Sequence, residues 1–198
     1  MRDNSAFKNA LLSVYDKTGL VDFACRLVGL GYTIYASGGT YKKLQEFGVP
    51  AIDIATLVGE PILNHRVVTL SREIMAGLLA TRSDKDLEEL KKINAFYIDL
   101  VCVDLYPLEA EIAREGATLE SVTELTDVGG PTMLHAAAKG RRIVVSSPAA
   151  RKRVLVWLEN GMPAEEAFRL QLAGEAERVA ARHIGASADY LQTENYKA

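Results

Sequence analysis

Between residues 10 and 146, short apolar runs alternate with segments whose apolar residues recur at helical spacing. Runs at 10–14, 32–36, 51–54, 98–104 and 142–146 read as strands. Helices are predicted at 19–30, 41–47, 84–93, 120–125, 132–139 and 149–160. The first is the clearest, with Leu20, Val21, Phe23, Ala24, Leu27 and Val28 on one side and glycines at its end. Strands that alternate with helices form a mainly parallel sheet with helices on both faces, an α/β class. The most apolar run, 98–104, is expected at the centre of the sheet. Residues 56–76, with Gly59 and Pro61, are expected to form a long loop at the site, and 84–93 a solvated helix. From Pro163 onward the pattern is one long helix or two. The expected organisation is one domain over 1–160 with a C-terminal helical extension over 161–198, without repeats.

Bulk properties narrow the partners. An apolar share of 48% supports a sizeable core, and a net charge of -3 excludes a general polyanion binder while leaving room for a local phosphate pocket. Nucleic acid is therefore not an expected partner. Cys25 and Cys102 lie in apolar stretches and are expected to be buried, reduced thiols. Three scattered histidines and two cysteines show no metal-ligand spacing, so no metal is expected. The polar N-terminus lacks an apolar leader core, and no apolar run reaches membrane length, so the expected location is the cytoplasm, with no membrane partner.

Parallel sheets take ligands outside the carboxyl ends of their strands. That rule selects the junctions at 14–19, 36–40, 103–107 and 126–132. Ser37-Gly38-Gly39-Thr40 can turn backbone amides and hydroxyls toward an anion at a helix start; a tight turn capped by Ser37 or Thr40 explains it equally well. Asp16-Lys17-Thr18-Gly19 offers a cation at the next junction, or simply a helix cap. Two such turns after consecutive strands point to a phosphate. Asp127-Val128-Gly129-Gly130-Pro131-Thr132 opens a helix on a proline, and its glycines allow close backbone approach. Amides there suit an oxyanion. Asp127 and Lys139 lie at opposite ends of that helix, by roughly 10 Å or more if it is straight, where each also suits the helix dipole. Tyr106 follows the 98–104 strand and either meets a ligand or packs at the sheet edge. In the loop at 64–72, Arg66 could contact a phosphate and Thr69 a phosphate or ribose oxygen; on composition Arg66, like His65, reads as an exposed loop residue.

Taken in order, LLSVYDKTGL (11–20), ASGGT (36–40), LYP (105–107) and DVGGPTMLHAAAK (127–139) resemble the IMP cyclohydrolase domain of the bifunctional purine biosynthesis enzyme, on a methylglyoxal-synthase-like fold. The resemblance runs from Ala10 to the last helices. It implies a dehydrating ring closure of 5-formamidoimidazole-4-carboxamide ribonucleotide to IMP without cofactor or metal. It further implies that Lys139, Asp127 and Tyr106 are catalytic. The substrate would be held by Tyr15, Asp16, Lys17, Ser37, Gly38, Gly39, Thr40, Arg66, Val67, Val68, Thr69, Val103, Asp104, Val128, Gly129 and Gly130. A homodimer is implied, with sites near the subunit interface. The sequence stops about where that domain does: either a separate formyltransferase supplies the substrate, or the sequence is a piece of a longer protein that carries one.

Three positions depart from the resemblance. Val68 stands in place of a lysine, Asp104 in place of the asparagine before LYP, and Tyr15 in place of a small serine. Two other functions share the fold. Methylglyoxal synthase uses similar phosphate turns but lacks the 127–139 segment. A non-catalytic nucleotide-sensing domain is favoured by Val68 and Asp104.

Overall fold

Strand side chains alternate between two cores. The structure, a computed structural model, describes residues 8–63 and 67–195. In β1 (Asn9–Val14), Ala10, Leu12 and Val14 join one core while Leu11 joins the other. In β4 (Leu100–Asp104), Leu100 and Cys102 point to the first core, Val101 and Val103 to the second. β5 (Ile143–Val145) repeats the pattern with Ile143 and Val145 against Val144. Strands buried on both faces have no polar side, which is why they read as continuous apolar runs.

With β2 (Thr33–Ala36) and β3 (Ile52–Asp53), the described strands form one parallel sheet in the order β3-β2-β1-β4-β5. Helices α1 (Leu20–Gly29) and α2 (Gly38–Glu46) carry the chain from β1 outward to β3 and pack on the first core. After β3 the chain forms α3 (Ala55–Val58), α4 (Arg72–Leu79) and α5 (Asp84–Lys92) before β4. Past β4 come α6 (Leu108–Ile112), α7 (Leu119–Glu124) and α8 (Gly129–Lys139), and α8 packs on the second core with α4. The chain moves outward from β1 in two directions, so crossovers of one hand must place α1 and α8 on opposite faces. α9 (Pro148–Glu159) returns to the first core.

One helix, α10 (Glu165–Asn195), covers the C-terminal region. Its 31 residues span ~46 Å. Leu172 enters the first core, and Ala176 and Ala180 the second, so α10 wraps the β5 edge. That cover keeps β5 fully buried although it is the last strand of the sheet.

Three expectations are corrected. β1, not the 98–104 strand, is the middle of the sheet, because apolarity reports covered faces and not lateral position. The expected loop over 56–76 contains α3 and the start of α4. Ser71 caps α4 by accepting the Ile74 amide at 3.1 Å, and Ile74, Gly77 and Leu78 form its buried face. Gly77 permits this packing: a β-carbon there would lie 2.5 Å from the Phe96 carbonyl. The short α6, built on Leu108, follows LYP directly. Cys25 is exposed, because it falls one position past the buried Phe23 and Ala24 of α1. Cys102 is buried, which pushes its thiol up to about 12. Among the described residues, no helix is long and apolar enough to cross a membrane, and no group of three His, Cys, Asp or Glu is arranged to hold a metal.

Candidate functional site

β1 and β4 are neighbours whose following segments leave for opposite faces, so their carboxyl ends flank the switch point of the sheet. On the β1–β2 side, the hydroxyls of the Ser-Gly-Gly-Thr turn face inward. Thr40 Oγ1 accepts the Val14 amide at 3.0 Å, and Ser37 Oγ donates to Ser13 Oγ at 2.7 Å. These bonds pin the start of α2 to the end of β1. Gly38 and Gly39 then occupy the first helical positions, where amides have no acceptor within the helix. A β-carbon added at either glycine meets nothing within 4 Å. The turn therefore presents open space in front of backbone donors, the geometry that suits a phosphate.

The loop after β1 is held from beneath. Asp104 Oδ1 accepts the amides of Tyr15 at 2.5 Å and Asp16 at 2.9 Å. The other carboxylate oxygen pairs with Arg151. Arg151 also donates to the carbonyls of Thr18 at 2.5 Å and Asp16 at 2.8 Å. Both side chains are buried, at 3% exposure for Arg151 and 10% for Asp104. Burial pushes the Asp104 carboxyl up, against the pull of the two amides and Arg151. Asp104 thus spends its charge inside the protein, on the loop that carries Tyr15 to Thr18. Asp16 accepts the Thr18 amide at 2.8 Å, and its carboxyl is lowered first by the Thr18 hydroxyl and then by that amide. Lys17 Nζ donates to the carbonyls of Val14 and, at 3.2 Å, Tyr15, and burial pushes its ammonium down.

On the β4 side, the Gly-Gly turn folds around Asp127. Its carboxylate accepts the Gly130 amide at 3.0 Å and is bonded by the Gly129 amide as well. A β-carbon on Gly130 would collide with this carboxylate and with Leu105. One on Gly129 would lie 2.9 Å from the Thr69 hydroxyl, so Thr69 joins the cluster. Burial lifts the Asp127 carboxyl above its ordinary value, with the two amides and His183 pulling against it. Tyr106 is raised by burial first, then by Asp127 and Glu124. Its ring meets Tyr15 edge-to-face, with centroids 5.5 Å apart at 70°. That contact joins the phosphate-turn half of the site to the Asp127 half.

Several residues fall elsewhere. Lys139 is exposed at the far end of α8, ~15 Å from Gly129 at 1.5 Å per residue. Within one chain it is separated from Asp127. Val103 is buried in the second core and offers the site only its backbone. Val68 packs against the same core, and Val67 pairs with Ile62 through an isolated bridge. Val128 is exposed beside the Gly-Gly turn. Arg66, with His65, lies outside the described residues.

Two contributors escaped the sequence reading. Arg151 sits among Ala150, Val154 and Leu155 on the buried face of α9, and an arginine at a core-facing helical position was its only local sign. His183 of α10 accepts the Asp127 amide at Nε2, 2.9 Å away. A separate cavity of about 350 Å³ lies at the other end of α8, lined in part by Ala138, Arg141, Glu165, Glu166, Arg169 and Leu170. Arg141 pairs there with Glu166, and Arg169 with Glu165 and with Asp99; of the 127–139 segment only the apolar Ala138 is among its lining residues.

Residues 19–132 match the family described as MGS-like domain. The chain is 42% identical over 189 residues to the bifunctional purine biosynthesis protein PurH of Chlorobium luteolum, covering 93% of this chain and 36% of that protein. PurH of Rhodopirellula baltica is 41% identical over 196 residues, covering 97% and 38%. The chain therefore spans just over a third of the length of these curated relatives. A solved structure described as the crystal structure of ForH superposes with a TM-score of 0.79 at 33% identity, covering 94% of this chain and all of that one.

Proposed function

The chain belongs to the MGS-like domain family, and from that premise we propose that it is an IMP cyclohydrolase, closing the pyrimidine ring of 5-formamidoimidazole-4-carboxamide ribonucleotide to give IMP. The observation that carries this is the meeting of the open Gly38–Gly39 turn with the Asp127–Gly130 cluster through Tyr15 and Tyr106. The phosphate binds the amides of Gly38 and Gly39, with Lys17 as a nearby cation. The reacting end lies against Asp127.

In the reaction the carboxamide nitrogen attacks the formyl carbon, and a C–N bond forms as the formyl C=O opens to a hydroxyl. Asp127 takes the proton leaving nitrogen, a task helped by a carboxyl lifted toward neutrality. Tyr106 and the Val128 amide donate to the formyl oxygen as charge develops there. The C–O bond then breaks: the oxygen departs as water with a proton returned to it, the formamido nitrogen gives up its hydrogen, and the ring C=N bond forms. Lys139 supplies that proton from a second subunit, since its own chain holds it at the far end of α8. The working unit is accordingly a homodimer in the cytoplasm. The formamido group is the product of a formyl transfer, so a formyltransferase supplies the substrate.

Incubation of the purified protein with the formamido ribonucleotide, with absorbance reporting IMP, tests the assignment. IMP formation that disappears in Asp127→Asn and Lys139→Ala is expected. Mixed dimers of those two variants should regain activity at one site if the residues come from different subunits. IMP binding without turnover supports a second reading, a nucleotide-sensing domain. The observation favouring that reading is Val68, an apolar side chain packed against the core where the resemblance expects a lysine.

A further inference from the structure

We propose that Tyr15 and Tyr106 form a ring-recognition edge that grips the planar heterocycle of the nucleotide, with the buried Asp104–Arg151 pair setting its position. This rests on the cyclohydrolase reading of the site. The two side chains keep 51% and 46% of their surface exposed although they touch each other. An edge-to-face pair at this separation leaves ring faces open to a third ring.

Their place is specific. Tyr15 follows β1 and Tyr106 follows β4, at the switch point between neighbouring strands. The glycine turn of α2 lies on one side, tied to Val14 through Thr40. Asp127 lies on the other, close enough to raise Tyr106. A ribonucleotide with its phosphate at the glycines and its carboxamide at Asp127 must pass its heterocycle across these rings.

The edge is also preorganised. Asp104 holds the Tyr15 and Asp16 amides, and Arg151 holds Asp104 and the carbonyls of Asp16 and Thr18. Every one of these bonds to the loop uses backbone atoms. The Tyr15 side chain is therefore free to contact a ligand, and little ordering remains to be done on binding. Tyr15 serves the ring of the ligand, and its presence does not serve the phosphate.

Calorimetric titration of wild type, Tyr15→Ser and Tyr15→Phe with IMP and with ribose 5-phosphate tests this. Tyr15→Ser should weaken IMP roughly tenfold, the scale of one base stacked on an aromatic ring, and leave ribose 5-phosphate within about twofold. Tyr15→Phe, which keeps the ring, should hold IMP within about threefold of wild type. The exposed position makes an unchanged melting temperature the folding control. Equal losses for both ligands in Tyr15→Ser would overturn the ring-recognition role and assign Tyr15 to the phosphate turn. Wild-type protein that binds neither ligand would overturn the reading of the site itself, an outcome visible before any variant is made.

Discussion

His183 Nε2 accepts the backbone N–H of Asp127 at 2.9 Å, so a helix that begins 35 residues after Gly130 holds the residue on which the Gly-Gly turn is built. An amide can only donate, so Nε2 is the unprotonated nitrogen and the imidazole proton sits on Nδ1. His183 is 6% exposed, and α10 thereby links the outer cover of the sheet to the chemistry at its edge.

Removing the acceptor should loosen Asp127. His183→Ala leaves a part-buried amide unpaired, at a cost of about 1 kcal/mol in stability. In the cyclisation assay kcat should fall more than KM rises, since the proposed phosphate site is the Gly38–Gly39 turn. His183→Gln, whose side-chain oxygen accepts a hydrogen bond, should recover part of kcat. Equal behaviour of the two variants would show that His183 acts by packing alone.

The same residue predicts a pH dependence of stability. Burial places the His183 pKa below its ordinary value, while Asp127 and Glu109 pull it up. The unfolded chain then binds a proton that the native state refuses, so stability falls as pH drops below about 6.5. The loss continues until pH reaches the lowered folded-state pKa. Melting temperatures between pH 8 and pH 5 should fall more steeply for wild type than for His183→Gln. Asp127 acts in the opposite sense. Its raised carboxyl makes the native state the better proton binder, so its contribution declines as pH rises from the ordinary carboxylate value to the folded one. The acid limb of kcat/KM should therefore lie above the ordinary carboxylate range near 4.

Asp104 and Arg151 form a pair that neither member leaves cheaply. Arg151→Met strands a buried carboxylate and should cost about 3–5 kcal/mol by guanidinium denaturation. Asp104→Asn in the same chain removes that stranded charge and should return a sizeable part of the loss. Additive losses in the double variant would rule out direct coupling between the two.

The glycines of the two turns should separate stability from binding. Gly38→Ala places a methyl group in open space at a helical position, so stability should hold or rise by up to about 1 kcal/mol. Phosphate affinity should fall, because the methyl group occupies the ligand's space. Gly130→Ala forces a β-carbon into the Asp127 carboxylate and Leu105. It should lower both the melting temperature and kcat. Loss of stability in Gly38→Ala would contradict the open turn.

Local pattern alone determined the α/β class and the order of the main elements. Each of these depends on neighbours within one turn or one strand, and apolar periodicity records that burial directly. The 127–139 segment also carried its resemblance in contiguous residues. Tertiary structure decided the rest. Val68, Asp104 and Tyr15 looked like three departures at one site, yet Val68 turns into the core, Asp104 turns onto a buried arginine and only Tyr15 faces outward. Arg151 stands 47 residues from Asp104 and His183 stands 56 from Asp127. Pairings at such separations depend on how helices pack across the sheet edge, and no local periodicity encodes them. By contrast, the separation of Asp127 and Lys139 at opposite ends of α8 was already legible locally, because a helix converts nearness in sequence into distance along its axis.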